Sequence, residues 1–314
     1  MRTVCRSGSC HKKKRCACPV SVGRYHTPPP AAACLCCRVL RRVVVQKASA
    51  RGLRSLAMKI GIVGCLGRMG RIIVQEVVGT GGVELSGGVV RRGNGLVGED
   101  MGAVLGCGHG AKITDSKEFL FDCSDVVIDF SSPECMLECV GIASEKRVPL
   151  VSGTTGVDER DFRTHAEKVP LLWSCNMSLG VTLLLELVKM AAAGFRGYDV
   201  EIRELHHRAK KDAPSGTSLM LGKAVAQGMG VELESQQHTF GSGCRRSGAV
   251  GFSVARGGGV IGDHAVMFLG DDEIVELQHR AIDRRVFARG AIKAACWLVG
   301  KPAGLYTMSD VLRA

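Results

Sequence analysis

The sequence predicts an α/β protein of two domains, and three observations carry that prediction. From Lys59 to about Gly180, short apolar runs alternate with stretches of helical length, and several of the runs end in glycine-rich or small polar turns. Aromatic residues are only 4% of the chain while hydrophobic residues are 46%, so the core must be built from Val, Leu, Ala and Ile. Beyond Gly180 the apolar runs alternate in period two with few helical stretches between them, which predicts a second α+β domain on an antiparallel or mixed sheet. At 314 residues the chain is long enough for both.

Residues 1–57 stand outside that pattern. They hold 13 of the 42 lysines and arginines and none of the 30 acids, which leaves 29 basic against 30 acidic side chains in 58–314. The net charge of +12 therefore belongs to a basic leader and argues for no nucleic-acid surface on the nearly neutral body. Seven of the 15 cysteines also lie there: Cys5, Cys10, Cys16, Cys18, Cys34, Cys36 and Cys37. The other eight form no CxxC pair; Cys135 and Cys139 are four apart in an expected helix. They read as reduced, buried groups of a cytosolic protein, with no disulfide framework and no metal site. The leader admits three readings: an organelle transit peptide; a zinc or nucleic-acid-binding tail using Cys5, Cys10, His11, Cys16 and Cys18, whose spacing matches no familiar zinc pattern; or an untranslated stretch before a true start at Met58. The last is preferred. No run reaches the roughly 18 apolar residues of a membrane span, since Arg38, Arg41 and Arg42 interrupt Ala31–Val45.

Lys59–Val63 is an apolar strand, followed by the turn Gly64-Cys65-Leu66-Gly67-Arg68-Met69-Gly70 and the helical run RIIVQEVV. Strand, glycine turn and helix form the opening unit of a Rossmann-like dinucleotide-binding domain, with the pyrophosphate at the helix N-terminus. The motif is GxxGxxG, with Leu66 at the usual second glycine, and a turn that merely packs helix on strand is the competing reading. Val83–Val90 is the second strand. It runs into Arg91 and Arg92 where many such folds carry an acid for the ribose hydroxyls, so the sequence leans toward NADPH over NADH; two solvated arginines are the alternative. Asp125–Phe130 is a third strand and leads into Ser131-Ser132-Pro133 and the helix ECMLECVGIASE. Val148–Val151 ends in Ser152-Gly153-Thr154-Thr155-Gly156, and Pro170–Ser174 ends in Cys175-Asn176-Met177-Ser178. Open parallel sheets bind ligands at such strand ends, so Gly153, Thr154, Thr155 and Asn176 are expected on the nicotinamide side.

Val181–Ala193 reads as an apolar helix and Tyr198–Leu205 as an alternating strand. GAVGFSVAR, HAVMFLG and EIVELQHRA continue the second sheet, whose one face can cover helices and the other a partner subunit. The glycines of Arg256–His264 either let backbone approach a ligand or turn the chain, the second reading being preferred, and His264 and His279 read as structural histidines. Phe287–Val299 is a helix that returns to the first domain.

The most informative segment is Glu204–Thr217, ELHHRAKKDAPSGT, too polar for a core. His206 titrates near neutrality in an ordinary setting, Lys210 supplies a cation, and Ser215-Gly216-Thr217 opens a helix whose free N–H groups suit a carboxylate or phosphate. A proton donor, a cation and an anion cradle together imply a small anionic substrate; a capping serine beside a solvated loop is the alternative.

Together GxxGRMG, DFSSP, SGTTG, ELHHRAKKDAPSGT, and RGGGVIGDH followed by HRAIDRRVFARGA give a chain that, over 58–314, resembles the 4-hydroxy-tetrahydrodipicolinate reductase family, also called dihydrodipicolinate reductase. The resemblance implies NAD(P)H-dependent reduction of a small dicarboxylate in the diaminopimelate route to lysine. It also implies a homotetramer, assembled through the mixed sheet of a 180–283 substrate domain, and a 58–179 dinucleotide-binding domain completed by C-terminal helices in 284–314. Carried over by motif position, His206 is the catalytic acid/base and Lys210 the proton donor, and His207, Ser215, Gly216 and Thr217 contact substrate. Gly64, Cys65, Leu66, Gly67, Arg68, Met69, Gly153, Thr154, Thr155, Ser174, Cys175, Asn176 and Met177 contact the cofactor, and Arg91 joins them from its place after the second strand. A cytoplasmic enzyme is expected, or an organellar one if the leader is a transit peptide. Loss of the 4-hydroxyl gives a conjugated imine; hydride at C4 then leaves an enamine that needs a proton at C3, which His206 and Lys210 suit. Aspartate or homoserine dehydrogenases share the architecture but do not explain HHxxKxDAPSGT. A nucleic-acid-binding protein using the basic leader is the non-enzyme rival.

Overall fold

A computed structural model describes residues 57–108, 111–233, 237–239, 244–245 and 248–314. All but the last residue of the leader lies outside the described residues, and with it every expectation placed there.

Seven strands form a parallel sheet in the order β12-β6-β5-β4-β1-β2-β3: β1 (Met58–Val63), β2 (Val83–Val89), β3 (Ile113–Thr114), β4 (Val126–Asp129), β5 (Leu150–Ser152), β6 (Pro170–Trp173) and β12 (Gly304–Tyr306). Parallel strands covered on both faces are nearly continuous apolar runs, and β4 is buried at all four positions, three of them apolar and the last Asp129. Helix α1 (Arg68–Val78) follows β1. The short helices α2 (Met101–Leu105) and α3 (Lys117–Asp122), missed in the sequence, come after β2, and α4 (Pro133–Lys146) after β4. The chain reverses its winding between β1 and β4, so the Gly64 turn and the Phe130–Ser132 loop face each other at the carboxyl edge, where open sheets bind ligands.

The glycines of the first turn have different reasons. Gly64 has φ of +76°, and a Cβ there would stand 2.6 Å from the Phe130 carbonyl oxygen. A Cβ on Gly70 would meet the Gly64 oxygen at 2.1 Å, so Gly70 lets α1 settle directly on the turn.

The second sheet is mixed, in the order β11-β10-β7-β9-β8: β7 (Asp199–His206), β8 (Gln237–Thr239), β9 (Val250–Arg256), β10 (Gly262–Leu269) and β11 (Ile274–Ala281). β7 pairs parallel with β9 and antiparallel with β10. Helices α5 (Leu179–Gly194) and α6 (Gly216–Met229) cover one face, where Leu184, Val188, Leu221 and Val225 pack on Val200, Ile202, Val266 and Phe268. Period two then puts Glu204 and His206, in phase with Val200 and Ile202, on that same face at the strand's end.

Helix α7 (Arg285–Leu298) returns to the first sheet and buries Ala288, Ala291 and Ala295 with Ile73, Val74 and Val77 of α1. Gly290 makes the approach possible, because a Cβ there would lie 1.7 Å from the Met177 carbonyl oxygen. The chain ends in β12 and α8 (Met308–Leu312). No described helix is long and apolar enough to cross a membrane.

Candidate active site

Glu204 anchors the site. It is 1% exposed, and its Oε2 accepts hydrogen bonds from the Ser215 amide (3.0 Å) and the Ser218 hydroxyl, while Oε1 accepts from the Arg256 guanidinium at 2.8 Å. Burial pushes the carboxyl up, but the Ser215 and Ser218 hydrogen bonds and the Arg256 cation outweigh it and hold the group at about 2. Arg256 also donates to the Asp212 carbonyl at 2.6 Å and so ties the loop after β7 to β9.

His206 is 6% exposed. Its Nδ1 is buried without a hydrogen-bond partner among the described residues and stands 3.8 Å from Glu204 Oε1. Burial pulls its pKa down to about 4, against the attraction of Glu204 and with help from Lys210 and Arg256. This corrects the sequence expectation of titration near neutrality: in the open cleft His206 is a neutral imidazole at pH 7, and an anion must arrive beside it to raise its basicity.

His264 and His279, read as structural, both line the same cleft. Register explains His264: it pairs directly with Glu204 across β7 and β10, so its ring meets His206 edge to face at 4.9 Å and its Nε2 lies 3.1 Å from the Ser215 hydroxyl. Burial and the neighbouring His206 hold it at about 4 despite Glu204. Glu204, His206 and His264 offer donor atoms within 4.8 Å of one another, but Arg256 already supplies the positive charge that a metal would bring.

Lys210 sits on the turn after β7 with its ammonium on the Asp212 carboxylate at 2.8 and 2.9 Å. Ser215 caps α6, accepting from the Ser218 amide at 3.2 Å, and its own amide is committed to Glu204. The amides of Gly216 and Thr217 begin the helix and have no intrahelical acceptor. Thr217 Oγ1 accepts from Asn176 Nδ2 at 3.0 Å, joining α6 to the loop after β6.

Across the cleft, Asp129 is the organising group. Fully buried at the end of β4, it accepts from the hydroxyls of Ser131, Ser152 (2.7 Å) and Thr154 (2.7 Å), and Thr154 Oγ1 in turn accepts from the Ser131 amide at 2.9 Å. One side chain thereby clasps the loops after β4 and β5. Phe130 lies against Gly153, where a Cβ would meet the ring at 2.3 Å.

Two hollows result. The first, of about 500 Å³, brings Arg68, Met69, Gly153, Ser174, Cys175, Asn176 and Met177 together with His206, His207, Lys210 and Thr217. The second, of about 860 Å³, is lined by Gly64, Leu66, Gly67 and Arg91 with Arg92 and Ser131, and Phe130 borders both. Other expected contacts stand elsewhere. The Cys65 thiol is buried in the core, the Thr154 side chain is turned inward to Asp129, Thr155 is exposed beside neither hollow, and Ser215 and Gly216 line neither. Nothing in the sequence pointed to Phe130, Arg284 and Phe287, and for Arg256–His264 the structural reading was preferred over backbone approach to a ligand. Ile261 and Gly262 line the first hollow, and the Gly257 amide donates to the His206 carbonyl at 2.9 Å. The phase of His264 with Val266 and Phe268 was the available signal for its inward position.

Comparison with known proteins bears on this arrangement. The family model "Dihydrodipicolinate reductase, N-terminus" matches residues 58–177 and "Dihydrodipicolinate reductase, C-terminus" matches 180–312. A 4-hydroxy-tetrahydrodipicolinate reductase of Ehrlichia ruminantium (strain Gardel) is 50% identical over 258 residues, covering 81% of this chain and 98% of that protein. The enzyme of the same name from Wolbachia pipientis subsp. Culex pipiens (strain wPip) is 51% identical over 262 residues, 82% of this chain and 100% of its own length. Among solved structures, a dipicolinate-bound dihydrodipicolinate reductase from Paenisporosarcina sp. TG-14 shares the fold with a TM-score of 0.63 at 22% identity, over 80% of this chain and 98% of that one.

Proposed function

The chain belongs to the dihydrodipicolinate reductase family, and from that premise we propose how its cleft reduces 4-hydroxy-tetrahydrodipicolinate to tetrahydrodipicolinate with a nicotinamide nucleotide. One observation carries the reading: His206, Lys210 and Thr217 from the mixed-sheet domain line one cleft with Gly153, Asn176 and Met177 from the parallel-sheet domain. A proton source and a cation thus face the edge where such sheets hold dinucleotides. The domains are taken as 58–179 with 284–314 for nucleotide, and 180–283 for substrate.

The residues fit the cofactor. The Gly64–Gly70 turn brings backbone to the N-terminus of α1 for a pyrophosphate, and a Cβ at Gly64 or Gly70 would collide with backbone. The bound cofactor supplies hydride. NADPH is the preferred form in this reading, supported by exposed Arg91 and Arg92 in the second hollow and by Val90 in place of an acid. Steady-state rates with both nucleotides test this, and a strong NADH preference would overturn it.

His206 is the acid that protonates C3, and Lys210 holds a ring carboxylate, leaving Asp212 as it does so. The start of α6, which meets the first hollow at Thr217, holds a carboxylate. Ligand carboxylates beside His206 raise its pKa, so binding takes up a proton. The enzyme acts as a cytoplasmic homotetramer in this reading; the assembly is supported by Ile274 at the start of β11 and Ile282 just past its end, 62% and 90% exposed, and light scattering tests it.

Nucleotide oxidation on the condensation product of pyruvate and aspartate semialdehyde tests the function. His206→Gln is expected to lower kcat about 100-fold with little change in cofactor binding. Activity near wild type would remove His206 from the mechanism.

A further inference from the structure

We propose that Glu204 is a positioning residue for His206: the buried carboxylate faces Nδ1–H of the imidazole, which leaves Nε2 as the atom that exchanges the proton in the cleft. The inference rests on the reading of His206 as the acid and adds what orients it.

The Glu204 carboxylate has about four acceptor sites. Three are filled, by the Ser215 amide, the Ser218 hydroxyl and the Arg256 guanidinium. With a donor on each side, the carboxylate cannot turn, and Oε1 keeps one site open. At 3.8 Å from Oε1 stands His206 Nδ1, a buried nitrogen with no hydrogen-bond partner among the described residues. That distance is too long for a formed hydrogen bond, but such contacts tighten when the imidazole gains charge. The opposite edge of the ring points the other way: Nε2 lies 3.3 Å from where a Cβ on Gly262 would stand, and Gly262 and His206 both line the cleft.

Other charges around the ring do not substitute for Glu204. Arg256 from β9 and Lys210 from the following loop are cations, His264 from β10 is a second imidazole, and Asp212 is engaged by Lys210. Glu204 is therefore the anion fixed against the ring. It selects the Nδ1–H tautomer of the neutral imidazole and stabilises the imidazolium. When the imidazolium gives its Nε2 proton to the enamine carbon, the enamine electron pair forms the C–H bond, and the ring returns to the Nδ1–H form. Water re-protonates Nε2.

Two measurements test this. In the full chain labelled with ¹⁵N-histidine, free of ligand at pH 7, the His206 resonance (assigned by its loss in His206→Gln) is expected to show Nδ1–H and bare Nε2; the reverse tautomer overturns the proposal. In Glu204→Gln, the basic-side midpoint of the kcat profile is expected to fall by about one pH unit or more, with KM for the nucleotide unchanged. A midpoint equal to wild type overturns it. Ser218→Ala loosens the same helix start but keeps the charge, so its midpoint should stay at the wild-type value; a shift as large as that of Glu204→Gln would assign the effect to packing and also overturn it. Should Glu204→Gln fail to fold, the tautomer of the unaltered chain decides alone. Full activity of His206→Gln would defeat the catalytic reading while leaving the tautomer result to stand or fall separately.

Discussion

Asp129 and Glu204 are both buried carboxylates near the ends of strands, at 0% and 1% exposure, yet they ionise in opposite directions. Burial dominates at Asp129 and raises its pKa although the hydroxyls of Ser131, Thr154 and Ser152 donate to it. At Glu204 burial is overcome, and the group is held at about 2. Two serines act at Glu204 as well, so hydroxyls are common to both; the Ser215 and Ser218 hydrogen bonds lower Glu204 most, and Arg256 adds a cation that Asp129 lacks. Neutral donors satisfy a buried carboxylate, whereas a guanidinium also compensates its charge. The difference matches the work of each region. Asp129 clasps two loops by geometry alone, while Glu204 places fixed negative charge beside an imidazole.

This contrast can be broken in several ways. The largest expected effect is that of Glu204→Gln, which strands Arg256 without its counter-charge and should cost about 3 kcal/mol in a denaturant titration. A loss below about 1 kcal/mol would mean that the pair contributes little. Acidification to pH 5 is of similar size, because two histidines act together. His206 and His264 have folded pKa values near 4, below the unfolded 6.5, so they bind fewer protons when folded. Stability should therefore fall from about pH 6.5 toward 4, by about 2 kcal/mol per histidine at pH 5, and level off below both values. Glu204 does not contribute to that loss, because its stabilisation is present above 4.5 and disappears only as pH falls toward about 2. Thermal melts at pH 7 and 5 check the sign. Gly153→Ala drives a methyl into the Phe130 ring and should cost about 1–2 kcal/mol and weaken nucleotide binding, read by calorimetry. The smallest effect is expected for Asp129→Asn, about 1 kcal/mol or less, because an amide keeps an acceptor for the hydroxyls and the lost charge was uncompensated.

The sequence made local features legible and left cross-chain ones hidden. The Gly64–Gly70 turn, the alternation of DVEIRELH and the capping Ser215 are each specified within about ten residues, and the structure shows a strand, turn or helix start at each. Strand direction was not legible: β9 runs parallel to β7, and period two encodes which face a side chain takes, not which way its neighbour runs. His264 belongs to the cleft because of its register opposite Glu204, sixty residues away in sequence. Gly153 needs no positive φ; its reason is the Phe130 ring behind it, which only packing reveals. The protonation of His206 was misread because burial, not residue type, sets it.

The returning helix α7 has a mechanical consequence. The chain passes between the sheets once near Ser178 and again near Asp283, and the two passages touch: His279 Nε2 lies 3.4 Å from the Ser178 hydroxyl, and Gly290 rests on the Met177 carbonyl. Paired tethers side by side resist twisting and permit bending, so they make a narrow pivot. Met177 and His279 also border the first hollow, which puts the reacting groups next to the pivot, where a given angle moves atoms least. A rotation about that pivot would change the distances among His206, Thr217 and Asn176 less than those at the outer rims.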